Sequence, residues 1–166
     1  MQKLNKEIME NEIYRACILL VSHFEQCMNR VEQGMVSGFH SRLFSHFLHP
    51  EVSFIFAGKS QAVVGGEKSH LEHIVPCAVL FNECCRLIKA EIPHEDIAHL
   101  LSNHWKVAYI SKTEADFLDS KSGLNLKHRM PSGWSFQTGD TFARFQLAGI
   151  KLLTEEPLGL SSPPPA

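Results

Sequence analysis

The apolar positions of residues 5 to 33 fall on one broad helical face. Ile8, Ile13, Cys17, Leu20, Phe24, Cys27, Met28 and Val31 recur at three-, four- and five-residue steps, and Gly34 supplies a stop. The spacing predicts one long helix whose stripe is core or the seam of a homodimer. A shorter helix is expected from Phe39 to about Leu48, ended by Pro50, which disfavours helical backbone at the residue before it.

The pattern then changes period. Val52-Ser53-Phe54-Ile55-Phe56 is β-rich, Gly58 reads as a break, Gln61 to Val64 as a return strand, and Gly65-Gly66 as a second break. Residues 69 to 75 read as extended up to Pro76. Helical spacing returns in 77–91, with Leu80, Cys84, Leu87 and Ile88 on one face, and in 94–103, with Ile97, Leu100 and Leu101. Trp105 to Ile110 is a further strand. Ser111-Lys112-Thr113-Glu114 matches a capping box and starts a helix to about Ser120, with Gly123 ending it. The remainder is turn-rich, with a short helix over Thr141–Leu147 and a proline-rich tail, 160–166, expected to be disordered. The predicted class is α+β, mostly helical with a small antiparallel sheet.

A chain of 166 residues fits one domain, here 1–159, made of N-terminal helices (1–50), a mixed core (51–122) and a C-terminal lobe (123–159). Hydrophobic residues make up 44% of the sequence, enough for a core, and the longest apolar run, Ala16 to Val21, is far too short to cross a membrane. The formal net charge of −2 excludes a general basic field for nucleic acid, so any such contact needs a local patch or a metal. Five cysteines, an odd count with no CxxC pair, and no visible signal peptide suggest free thiols in a reducing, cytoplasmic setting.

The most informative stretch is Glu72-His73-Ile74-Val75-Pro76. A carboxylate can hold a hard divalent cation, and the neighbouring imidazole can take a proton from water near neutral pH. On a regular strand the two side chains point to opposite faces, so they converge only if the backbone kinks before Pro76. The same segment resembles the first motif of the HNH endonucleases, the His-Me finger or ββα-metal nucleases. Val107-Ala108-Tyr109-Ile110-Ser111-Lys112-Thr113-Glu114-Ala115-Asp116 resembles the strand and helix that complete that motif, and 77–104 would be a helical insertion. The resemblance spans residues 54 to 122. It implies a ββα-metal-like core in which His73 is the general base and Glu72 a metal ligand, with Glu114 where the family's helix carries histidine. The family's middle asparagine has no counterpart. The nearest position by spacing is Lys106, with Asn103 three residues earlier.

The implied activity is Mg²⁺- or Mn²⁺-dependent phosphodiester hydrolysis, on DNA rather than RNA. The competing reading is a catalytically inactive scaffold of the same fold that binds protein or nucleic acid. Plainer explanations exist for each residue. His73 can be a hydrogen-bonded structural histidine, Glu72 a solvated strand-end carboxylate, and Glu114 only the third residue of a capping box. His70 raises the idea of zinc, but no companion Cys or His pair has suitable spacing. Cys77, just after Pro76 at a possible helix N-terminus, could pair with His73 as a nucleophile. Lys127-His128-Arg129, ahead of Trp134, is the candidate phosphate grip, with Lys121 and Arg144 extending it; the alternative is a packed lobe with Trp134 in its core.

Overall fold

The computed structural model describes residues 6–36 and 40–153. The protein is α+β. Helix α1 (Lys6–Glu32) leads through 3-10 turns at Ser41–Ser45 and Glu51–Ser53 to strand β1 (Phe56–Ser60). There follow α2 (Gln61–Val64), β2 (Ser69–His73), α3 (Cys77–Lys89), α4 (His94–His104), β3 (Val107–Ser111), α5 (Lys112–Asp119), α6 (Ala143–Leu147) and β4 (Leu152–Leu153). None of the described helices is long and apolar enough to cross a membrane.

The four strands lie in the order β2-β3-β1-β4. β3 pairs antiparallel with β2, from Ser69 opposite Ser111 to His73 opposite Val107. It pairs parallel with β1, and β4 closes the other edge antiparallel to β1. The sheet is therefore mixed, not wholly antiparallel. β3 is central and buried on both faces, and its alternation sorts two cores. Val107 faces a large cluster made by α1, α3 and α4, with Leu20, Phe24, Leu80, Ile97, Leu101 and Trp105 at its centre. Ala108 and Ile110 face a smaller one with Ile74, Leu118 and Phe145 under α5 and α6.

Several expected elements shift. The strand around 52–56 begins only at Phe56 and runs through Gly58, whose φ of 134° is backbone that glycine tolerates; the register with β3 shifts between Phe56 and Lys59. Residues 61–64 are helical, because the Ser60 hydroxyl accepts the Val63 amide and starts a turn there. The helix expected from Phe39 is a 3-10 turn, and Phe39 itself lies outside the described residues, as does the tail 160–166. The middle of the stripe on α1 is internal, with Ile13, Cys17, Leu20 and Phe24 buried in one cluster with the inserted helix pair and Cys27 also buried, while Ile8 and Val31 at its ends are exposed.

Candidate functional site

The order β2, inserted helices, β3, α5 brings a strand, an antiparallel partner and a helix together, as the ββα reading of 54–122 expects. The side chains do not converge as that reading requires. β2 stays regular to His73, with Glu72 opposite Ala108 and His73 opposite Val107, so the two residues point to opposite faces. Glu72 lies with Ile74 on the α6 side, and His73 lies with Val75 on the helical side.

On the first face Glu72 is held by Arg144. The guanidinium is wholly buried; Nη2 donates to Glu72 Oε1 and, at 2.6 Å, to the His73 carbonyl. Nη1 donates to the Leu126 carbonyl at 3.0 Å and lies 3.8 Å from Asp119 Oδ1. A fixed cation thus sits between two carboxylates at the end of β2. Arg144 is consequently absent from any surface patch, contrary to the expectation that it extends the 127–129 grip. Its role was invisible in sequence because its partners lie between 18 and 72 residues away.

On the second face His73 Nε2 lies 3.2 Å from Glu51 Oε2. Neither atom completes a well-directed hydrogen bond among the described residues, so the contact is chiefly electrostatic. Cys77, at the start of α3, is the other group that acts on the ring electrostatically, and its Sγ lies 3.7 Å from Ser45 Oγ. Burial opposes charging the imidazole, but Cys77 and Glu51 outweigh it and raise its pKa to about 10. At neutral pH this ring carries a proton and is unsuited to take one from water. Glu51 had no local signal in the sequence, since only the tertiary fold sets it beside β2.

Glu114 stands elsewhere. Its carboxylate accepts the Ser111 amide at 2.7 Å, while Ser111 Oγ accepts the Glu114 amide at 3.2 Å, a complete capping box. Ser111 pairs with Ser69, four strand positions from His73, which separates the two ends by roughly 14 Å at ~3.4 Å per residue. Glu72, His73 and Glu114 therefore do not share one site. The residues do not fit a divalent ion as drawn: one carboxylate is engaged by Arg144, the imidazole is on the other face and the third ligand caps a helix. Among the described residues no group of three His, Cys, Asp or Glu is arranged to hold a metal.

The loop 127–134 is placed as an exposed element. Lys127, His128 and Arg129 are exposed, and buried Met130 anchors the loop to the large core. Beside it runs a groove of about 520 Å³, walled by Arg86 of α3, His128, Arg129, Pro131, Trp134 and Phe136. Trp134 is half-buried: its Nε1 donates to the Asp140 carbonyl at 2.8 Å, and its ring meets Phe136 edge-on. Lys127 is exposed but does not line the groove. The chain matches no family model, no curated protein and no solved structure.

Proposed function

We propose that this protein is a nucleic-acid-binding module on a ββα-like scaffold, gripping phosphate with Lys127, His128 and Arg129. The observation that carries the reading is the exposed cationic loop on the rim of a groove whose wall includes Trp134 and Phe136. Cations fix a phosphate backbone, and half-exposed aromatic rings offer stacking surface to bases, which together suit a single strand. Arg86 adds a guanidinium to the same wall, although Glu83 holds it in a bidentate pair at 2.8 and 2.7 Å. A single-stranded DNA or RNA oligonucleotide titrated across salt concentrations tests the reading. Salt-dependent binding that weakens in the Lys127→Glu/Arg129→Glu protein supports it. Binding that is absent, or indifferent to salt and to both substitutions, overturns it.

A second reading, Mg²⁺- or Mn²⁺-dependent DNA hydrolysis through Glu72 and His73, is favoured by one observation, the β2–β3–α5 order. It requires Glu72 to leave Arg144 and His73 to change face. Incubation of plasmid with wild type and His73→Ala protein separates the two. Cleavage that depends on His73 favours hydrolysis, and none favours the binding module.

A further inference from the structure

The loop that carries the cations holds one residue that the binding reading leaves unused. Ser132 is exposed, does not line the groove, and its hydroxyl makes no hydrogen bond among the described residues. Lys127 and Arg129 stand five and three residues before it, with His128 between them, and all three side chains are exposed. None of the three is ion-paired among the described residues.

A turn presents the serine. The Trp134 amide donates to the Pro131 carbonyl at 3.1 Å, and Gly133 takes the positive φ, 80°, that closes it. Ser132 is the first of the two corner residues. Among the described residues, that bond is the only one made by the backbone of 127–133. Met130 is the one buried side chain of the stretch. An extended pose in another protein's cleft therefore asks for the release of one hydrogen bond and one methionine.

Spacing alone does not select this residue. Ser45 also follows an arginine, Arg42, by three positions. It lies inside the 3-10 turn Ser41–Ser45, only partly exposed, with Oγ 3.7 Å from Cys77 Sγ. The same spacing thus occurs once on an open loop and once in hydrogen-bonded backbone.

We propose that Ser132 is a phosphorylation site, read by a serine kinase whose cleft offers carboxylates to Lys127 and Arg129, and that the phosphate turns off the cationic grip. The second half rests on the nucleic-acid reading above; the first does not. The Ser132 oxygen attacks the γ-phosphorus of ATP. A P–O bond forms as the bond to the β–γ bridging oxygen breaks, ADP leaves, and the hydroxyl proton passes to the kinase's catalytic carboxylate. The attached phosphate carries about −1.5 to −2 charges at neutral pH, which offsets Lys127 and Arg129 and repels a phosphate backbone.

Native protein is incubated with Mg²⁺-ATP and a kinase that prefers basic substrates, and in parallel with one that prefers acidic substrates. Peptide mass spectrometry then reads every serine. Ser132 is expected to carry phosphate in the first arm, ahead of Ser45, and to stay unmodified in the second. Arg129→Ala, a change at an exposed side chain, should slow the reaction by roughly tenfold, the worth of one charge-assisted pair. No phosphate at Ser132, while a control substrate is fully converted, overturns the site. Equal modification by both kinases, or a rate that ignores Arg129→Ala, does the same. Oligonucleotide binding is then compared before and after phosphorylation. Losing two phosphate contacts on a single strand should weaken it on the order of tenfold at about 0.1 M salt. Phosphatase treatment should restore the affinity, and kinase-treated Ser132→Ala protein should bind as the untreated chain does. Full phosphorylation with unchanged affinity overturns the shutdown alone. An unmodified protein that binds no oligonucleotide overturns the nucleic-acid reading and the shutdown with it, while the mass spectrum still decides the site.

Discussion

Replacing Arg144 with methionine removes the cation while keeping most of the side-chain volume. The guanidinium is wholly buried and satisfies the Glu72 carboxylate, which is only 16% exposed, together with the His73 and Leu126 carbonyls. Breaking a buried pair by removing one partner costs about 3–5 kcal/mol, because the other charge is left uncompensated. Each stranded carbonyl acceptor costs about 1–3 kcal/mol when its charged donor is lost. These losses overlap, since Nη2 serves both Glu72 and the His73 carbonyl, and residual exposure lets water reach Glu72. A net loss of about 4 kcal/mol is expected. That is a large share of the 5–15 kcal/mol typical of a folded domain. For a chain of this size, each kcal/mol lowers the unfolding midpoint by roughly 2–4 °C, so a fall on the order of 10 °C should follow. Urea and thermal unfolding, followed by far-ultraviolet circular dichroism, would measure it. Adding Glu72→Gln should recover part of the loss, because a neutral amide no longer needs a cation. An Arg144→Met midpoint within about 2 °C of wild type, in the range of an ordinary surface change, would refute the claim that this arginine ties β2, α5 and α6 together.

The His73 contribution has a definite sign in pH. Its folded pKa is raised above the unfolded 6.5 to about 10, so its stabilisation is complete below pH 6.5 and fades as pH rises toward 10. Glu51→Gln should flatten stability over that window; an unchanged slope there would show that the two groups are not coupled. The buried thiols Cys17 and Cys84, also raised, act only above their unfolded value of 9.0 and so leave the lower part of the window to His73. Ser111→Ala should cost about 1 kcal/mol by unmaking the capping box, whereas Glu114→Gln, whose amide oxygen can still accept, should cost less. A Glu114→Gln protein that loses divalent-ion binding would restore a ligand role for that residue. Lys127→Glu/Arg129→Glu should reduce the slope of log affinity against log salt by roughly two, measured by fluorescence anisotropy on a labelled oligonucleotide. Gly139→Ala should push on the Trp134 ring that it would contact, shifting tryptophan fluorescence and weakening the same binding; identical spectra and affinity would remove Trp134 from the grip.

What the sequence determined by itself was local. The 3.6-residue spacing of 5–33, 77–91 and 94–103 marked helices now seen as α1, α3 and α4, and Ser111–Glu114 marked a capping box that forms as written. These depend on groups a few residues apart, whose geometry the backbone period dictates. The strand at 69–73 and the exposed 127–129 loop were equally legible. Where one polar residue decided a local start, the apolar pattern misled: Ser60 turns 61–64 into a helix despite its valines. Only the tertiary structure decided what the site is. The parallel pairing of β1 with β3, the carboxylate chosen by Arg144 and the meeting of Glu51 with His73 all join residues far apart in the chain. The Glu72-His73 motif was readable as adjacent residues. Because strand side chains alternate, the same adjacency that made the motif visible sends its two members to opposite faces, one to a buried arginine and the other to the buried Glu51 carboxylate.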